Sequence, residues 1–202
     1  MPKSKEEFER IKEKRRYDII KTATYIFAFN NYKSVTTDSI TNELKCSHGL
    51  FYHYFKNKEE LFSEVVTSAI ATAKELVDFN LLNVDNAKDA LENAIRCVLL
   101  TTKDKDDYHS CCLYLLLNLR LQINNVNENE EARKKCVLAL NKLRQIIERG
   151  QREGNIKDYD AEELTICLIA LMEGLLYNRL MVGVNNFKCP SVELIMRIVE
   201  TN

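Results

Sequence analysis

Residues 36–58, TTDSITNELKCSHGLFYHYFKNK, constrain the fold more tightly than any other stretch. Thr36 or Thr37 offers a side-chain oxygen to an otherwise unpaired backbone N–H, which starts a helix. Ile40 and Leu44 then share one face, four residues apart. Lys45 and Cys46 break the period, and Ser47 can cap a second helix, His48–Tyr54. Asn57 caps a third, with Glu60 three residues on as its capping-box partner. Two short helices joined by so tight a turn make a helix-turn-helix, whose second helix enters the DNA major groove.

The second short helix holds Phe51, Tyr52, His53 and Tyr54 with Phe55 behind them. Its polar residues are of kinds that touch DNA. His48 stands at the N-terminus, near base edges, and Tyr52 and His53 donate to phosphates or bases. Lys58 stands at the start of the next helix, where phosphate also binds well. Gly49 lets the backbone approach a groove wall closely. A plain three-helix core whose aromatics only pack would use the same residues.

The stretch resembles the DNA-binding segment of the TetR family of transcriptional regulators. That pattern has a threonine pair, Ile-Ala, Ala-Gly-small-Ser, Gly, Tyr-x-Tyr-Phe and a Lys at the following helix start. Thr36, Thr37, Ile40, Ser47, Gly49, Tyr52, Tyr54, Phe55 and Lys58 match in register. Thr41 replaces the Ala, and Leu44-Lys45 replace Ala-Gly. A left-handed turn at Lys45 would cost on the order of 1 kcal/mol relative to glycine. The resemblance is specific over about residues 8–66 and implies a DNA-contacting set of Thr36, Thr37, Ser47, His48, Gly49, Leu50, Tyr52, His53, Tyr54 and Lys58. Bases are read among His48, Gly49 and Leu50.

Charge agrees with a DNA-contacting head. Residues 1–58 hold twelve Lys and Arg against seven Asp and Glu, and the rest hold seventeen against twenty-three. A basic head on an acidic body resists wrapping the body onto DNA. Lys12, Lys14, Arg15 and Arg16 form the outward basic face of a first long helix, whose inner face is Ile19, Ala23, Ile26 and Phe27. Ser4 with Glu7 caps its start, and it ends near Asn30, where Asn31 can take the left-handed conformation.

Five glycines and two prolines in 202 residues leave little material for turns, and the rest reads as helix. Helices are expected at about 58–79, 87–103, 107–124, 127–153 and 161–182. The helix expected at 107–124 is apolar on most sides and so central: 111–119 reads CCLYLLLNL. Pro190 opens a last helix with Val192, Ile195, Met196 and Val199. The expected fold is all-α with about nine helices: a three-helix head over 1–56 and a six-helix regulatory and dimerisation body over 57–202.

Seven scattered cysteines form no Cys-x-x-Cys or Cys/His ligand set, and Cys111-Cys112 read as core residues. The charged N-terminus does not resemble a signal peptide, and the apolar stretches read as short of a membrane span. A reducing cytoplasm follows. No metal, cofactor or catalytic constellation is expected, because two of the three histidines lie in the second short helix and His109 stands alone.

By resemblance, the body binds a small-molecule effector, with His109, Tyr114, Asn118, Met172 and Tyr177 as contacts. The last two long helices would pair with their mates through Leu164, Leu168, Leu171, Leu175, Ile195 and Val199, and Gly174 would allow close approach. The implied function is a ligand-responsive transcriptional regulator, usually a repressor in that family, that holds a palindromic operator of double-stranded DNA as a homodimer. Two other classes stay open: a helical dimeric adaptor without DNA binding, and an all-α enzyme with a site built from scattered carboxylates.

Overall fold

The computed structural model describes residues 5–82, 84–101, 108–122, 130–183 and 186–201. Nine helices occur among them: α1 (Lys5–Phe29), α2 (Thr37–Glu43), α3 (His48–Tyr54), α4 (Lys58–Leu82), α5 (Ala87–Thr101), α6 (Tyr108–Gln122), α7 (Glu130–Arg152), α8 (Ala161–Val182) and α9 (Val192–Val199). The expected cap at Ser4 lies outside the described residues.

Local chemistry explains most boundaries. Thr36, rather than Thr37, caps α2, and its hydroxyl and that of Ser39 each accept the other residue's N–H at 3.1 Å. Ser47 caps α3 by accepting from Leu50 N at 3.2 Å. At α4, Asn57 Oδ1 accepts from Glu60 N at 2.8 Å, and the Glu60 carboxylate reaches back to Lys56 N at 2.6 Å. α7 stops where Gly154 takes φ +76, and Asp160 caps α8 by accepting from Glu163 N at 2.9 Å.

Three expectations are corrected. Asn31 is not left-handed: its side-chain oxygen accepts from Lys33 N at 2.9 Å and its carbonyl from Ser34 N at 3.0 Å, so a hydrogen-bonded turn ends α1 without positive φ. Pro190 precedes α9 rather than opening it, and Ser191 is the cap. α8 is, by length and composition, long and apolar enough to cross a membrane. Its apolar residues instead divide between two buried clusters and an outer face, and Arg179 is buried within it.

Two cores hold the chain. The first joins Ile19, Ala23 and Phe27 of α1, Ile40 of α2, Phe51 of α3 and Phe55 just beyond it, Leu61 and Val65 of α4, and Cys111, Cys112, Tyr114 and Leu115 of α6. The second joins α5, α7, α8 and α9 around Leu91, Ile147, Leu168 and Ile195. Burial at this scale contributes roughly 25 cal/mol for each Å² of apolar surface. The first core crosses the expected division at 56/57, so the head is packed onto α6. Asn118 Nδ2 adds a bond to Ala28 O at 2.5 Å. Cys111 and Cys112 are core residues, as their sequence setting implied.

Candidate nucleic-acid interface

α3 is short, and its two sides have opposite surroundings. Phe51 is fully buried, and Phe55 just beyond the helix is 1% exposed. His48, Gly49, Tyr52 and His53 are exposed. Residues four apart lie one above another on a helix, so 48 with 52 and 49 with 53 form one continuous outward face. Leu50 and Tyr54 are half-buried at its edges, and the Tyr54 ring meets His53 edge to face at 5.0 Å between centroids.

The outward face combines hydrogen-bonding rings with open backbone. His48 Nε2 lies 3.4 Å from Asp38 Oδ1 of α2, so the preceding helix steers this imidazole. A Cβ on Gly49 would meet only Ser47 Oγ, at 3.9 Å. Nothing inside the chain demands glycine there, and the space is open to an outside surface. Thr36 is exposed at the start of α2, and Thr37 is half-buried beside it.

The turn between α2 and α3 shows the strain that its sequence implied. Lys45 has φ 49, the only positive φ of a non-glycine residue among the described ones. Its N–H donates to Asn42 O at 3.1 Å, and Cys46 N–H donates to Thr41 O at 3.0 Å. The left-handed residue closes α2 and aims the chain into α3.

Two cations expected to face outward are turned inward. Lys58 Nζ donates to the carbonyls of Tyr32 at 3.0 Å and Val35 at 2.8 Å, which leaves one of three N–H groups for a phosphate. Arg16, assigned to the outer basic face, donates from Nη1 to Tyr54 O at 2.9 Å, pairs with Glu64, and stands 4.6 Å over the Phe55 ring. It thereby ties α1, the end of α3 and α4 together. Spacing alone could not separate Arg16 from Arg15, because both precede the first buried residue of α1. Lys12 and Lys14 are exposed as expected.

The five expected effector contacts have different surroundings. Tyr114 is fully buried against Phe29, and burial pushes its phenol up from the ordinary tyrosine value, partly offset by Arg179. Asn118 is spent on Ala28. Met172 packs on the second core, and Tyr177 is exposed on the outside of α8. His109 lies on the rim of a cleft of about 460 Å³ between α1, α4 and α6.

The expected pairing residues lie in or against the chain's own second core. Leu164, Leu168, Ile195 and Val199 are buried in the subunit's own core, and Leu171 and Leu175 pack against it. The large apolar side chains left exposed on these helices are Ile166, Tyr177, Met181 and Val182 of α8 and Leu194 and Ile198 of α9. Periodicity marked an apolar helix but not which of its faces the second core would claim. Among the described residues no group of three or more His, Cys, Asp or Glu is placed to hold a metal ion.

Residues 19–65, which span α2, α3 and the turn, match the family described as bacterial regulatory proteins, tetR family. The HTH-type transcriptional regulator YhgD of Bacillus subtilis (strain 168) is 25% identical over 160 residues, covering 79% of this chain and 81% of that one. A TetR-family transcriptional regulator from Agrobacterium tumefaciens has the same fold, with a TM-score of 0.79 at 16% identity, over 94% of this chain and 99% of that one. The MbdR regulator from Azoarcus sp. CIB superposes with a TM-score of 0.75 at 20% identity, over 90% and 95%.

Proposed function

We propose that the chain, whose residues 19–65 match the family of bacterial regulatory proteins, tetR family, is a DNA-binding transcriptional regulator that acts as a ligand-responsive repressor, a homodimer on a palindromic operator. The observation that carries this reading is the exposed face of His48, Gly49, Tyr52 and His53 on a helix whose other side is locked into the core. His48, Gly49 and Leu50 read base edges. Thr36, Thr37, Ser47, Tyr52, His53, Tyr54 and Lys58 position the backbone.

Two identical heads require a two-fold axis, and the outer faces of α8 and α9 supply the surface. Ile166, Tyr177 and Met181 recur along α8 with the period of one helical stripe. Their exposures are 58%, 42% and 67%, with Leu194 at 59% and Ile198 at 47% on α9. Among the described residues a Cβ on Gly174 meets nothing within 4 Å, which leaves room for a partner helix to approach there. The half-sites then lie about one turn apart, roughly 34–36 Å.

The effector acts through the body. It shifts operator affinity only by its differential affinity for two settings of the heads, and about 3 kcal/mol of coupling weakens binding more than 100-fold. The molecule works in the cytoplasm, where its DNA is, and without catalysis.

Selection of bound sequences from a random duplex library tests the reading. The parent chain is expected to enrich an inverted repeat, and His48→Ala to change the preferred base at one position of each half-site. An unchanged preference would move base reading away from His48, and no enrichment at all would overturn the proposal.

A further inference from the structure

A cleft opens where the head meets the body, and its walls come from three helices. α1 supplies Tyr17 and Lys21, α4 supplies Ser68 and Glu75, and α6 supplies Tyr108 and His109, around about 460 Å³. One wall is aromatic. The Tyr17 and Tyr108 rings meet edge to face with centroids 6.2 Å apart, and the Tyr108 and His109 rings do so at 6.3 Å. Tyr108 is anchored by its hydroxyl, 2.9 Å from Ser68 Oγ. Burial pushes that phenol up from its ordinary value, so it remains a neutral hydrogen-bonding group.

Lys21 and Glu75 bring opposite charges to one opening from different helices. Both side chains are exposed rather than folded away. A ring face and a carboxylate both attract an ammonium group. A lysine ammonium attracts a carboxylate through a charge-assisted hydrogen bond. The two requirements are met together by a molecule that carries an amine at one end and an acid at the other. A phosphate backbone would be repelled by Glu75, and a wholly apolar effector would leave the charged groups unmatched.

We propose that this cleft binds a small zwitterionic amine, of the ω-amino acid class, with its ammonium against Glu75 and the tyrosine rings and its carboxylate on Lys21. The inference rests on the effector reading above and gives that effector a place and a chemistry. The ligand touches α1, which carries the head, together with α4 and α6. Its binding therefore bears directly on how the head sits against the body.

Calorimetric titration of the full chain with ω-amino acids of three to six carbons, and with the alkylamines and alkanoates of equal length, tests it. One amino acid is expected to bind at least about tenfold tighter than its amine and its acid. Lys21→Ala should reduce it to the level of the amine, and Glu75→Gln to the level of the acid. Unchanged melting of both variants shows that they fold. Equal binding of amine and amino acid, binding indifferent to both substitutions, or no millimolar binding in any series would overturn the site. The titration contains no DNA, so a chain that selects its operator but takes none of these probes loses this site and keeps the regulator reading.

Discussion

Lys58 lies over the ring of Tyr32, with Nζ 4.2 Å from the ring centroid, and donates to the Tyr32 carbonyl at 3.0 Å. With its bond to Val35 O, this clasps the start of α4 to the connection between α1 and α2. The lysine is thus a structural member of the head as well as a cation near its surface. Lys58→Ala is expected to lower stability by about 1–2 kcal/mol, through lost charge-assisted bonds and ring contact. It should also weaken all DNA sequences alike. Denaturant unfolding checks the first part, and a variant as stable as the parent would return Lys58 to a purely DNA-facing role.

Tyr32 also donates to Glu59 Oε1 at 2.9 Å. Burial first, and then this bond and the Glu59 charge, push the phenol up from 10.0 to about 12. Between those values the folded head keeps a proton that the unfolded chain has lost. The contribution of Tyr32 to stability is therefore full below pH 10 and falls as pH rises toward 12. Melting curves across that window should show a steeper decline for the parent than for Tyr32→Phe, and parallel declines would contradict the assignment.

Lys45 holds a conformation that suits glycine. Lys45→Gly is expected to stabilise the chain by about 1 kcal/mol, while Lys45→Ala keeps the strain and gains nothing comparable. Urea midpoints of the two variants decide this.

The exposed stripe on α8 separates pairing from folding. Tyr177→Glu with Met181→Glu is expected to give folded monomers in sedimentation. Leu168→Glu should instead unfold the second core, since Leu168 is 3% exposed there and a buried unpaired carboxylate costs several kcal/mol. A persistent dimer in the double variant would place the interface elsewhere.

The sequence made the head legible because its signals are local. Capping residues, a four-residue spacing and a run of aromatics placed the start of α2 within one residue and gave both ends of α3. Lys45 marked the strained turn by standing where the resembling family has glycine. What escaped was set by tertiary partners. Arg16 and Arg15 are alike in sequence, and only the packing of α3 and α4 on α1 gives Arg16 its partners Tyr54 and Glu64. Leu168 and Ile166 are equally apolar, and only the position of α7 and α9 decides which is core and which is surface. The strip that pairs Lys157 N with Val199 O at 2.8 Å joins segments whose sequences carry no strand pattern.

Footprinting of the purified chain on the DNA flanking its own coding sequence tests the central claim most directly. The account predicts two protected half-sites in inverted orientation, centred about one helical turn apart or a little more. It further predicts loss of protection with Tyr52→Ala and with rising salt, as expected when phosphate contacts carry much of the affinity. Absence of protection, or protection unaffected by Tyr52→Ala, would contradict a head that holds DNA through the exposed face of α3.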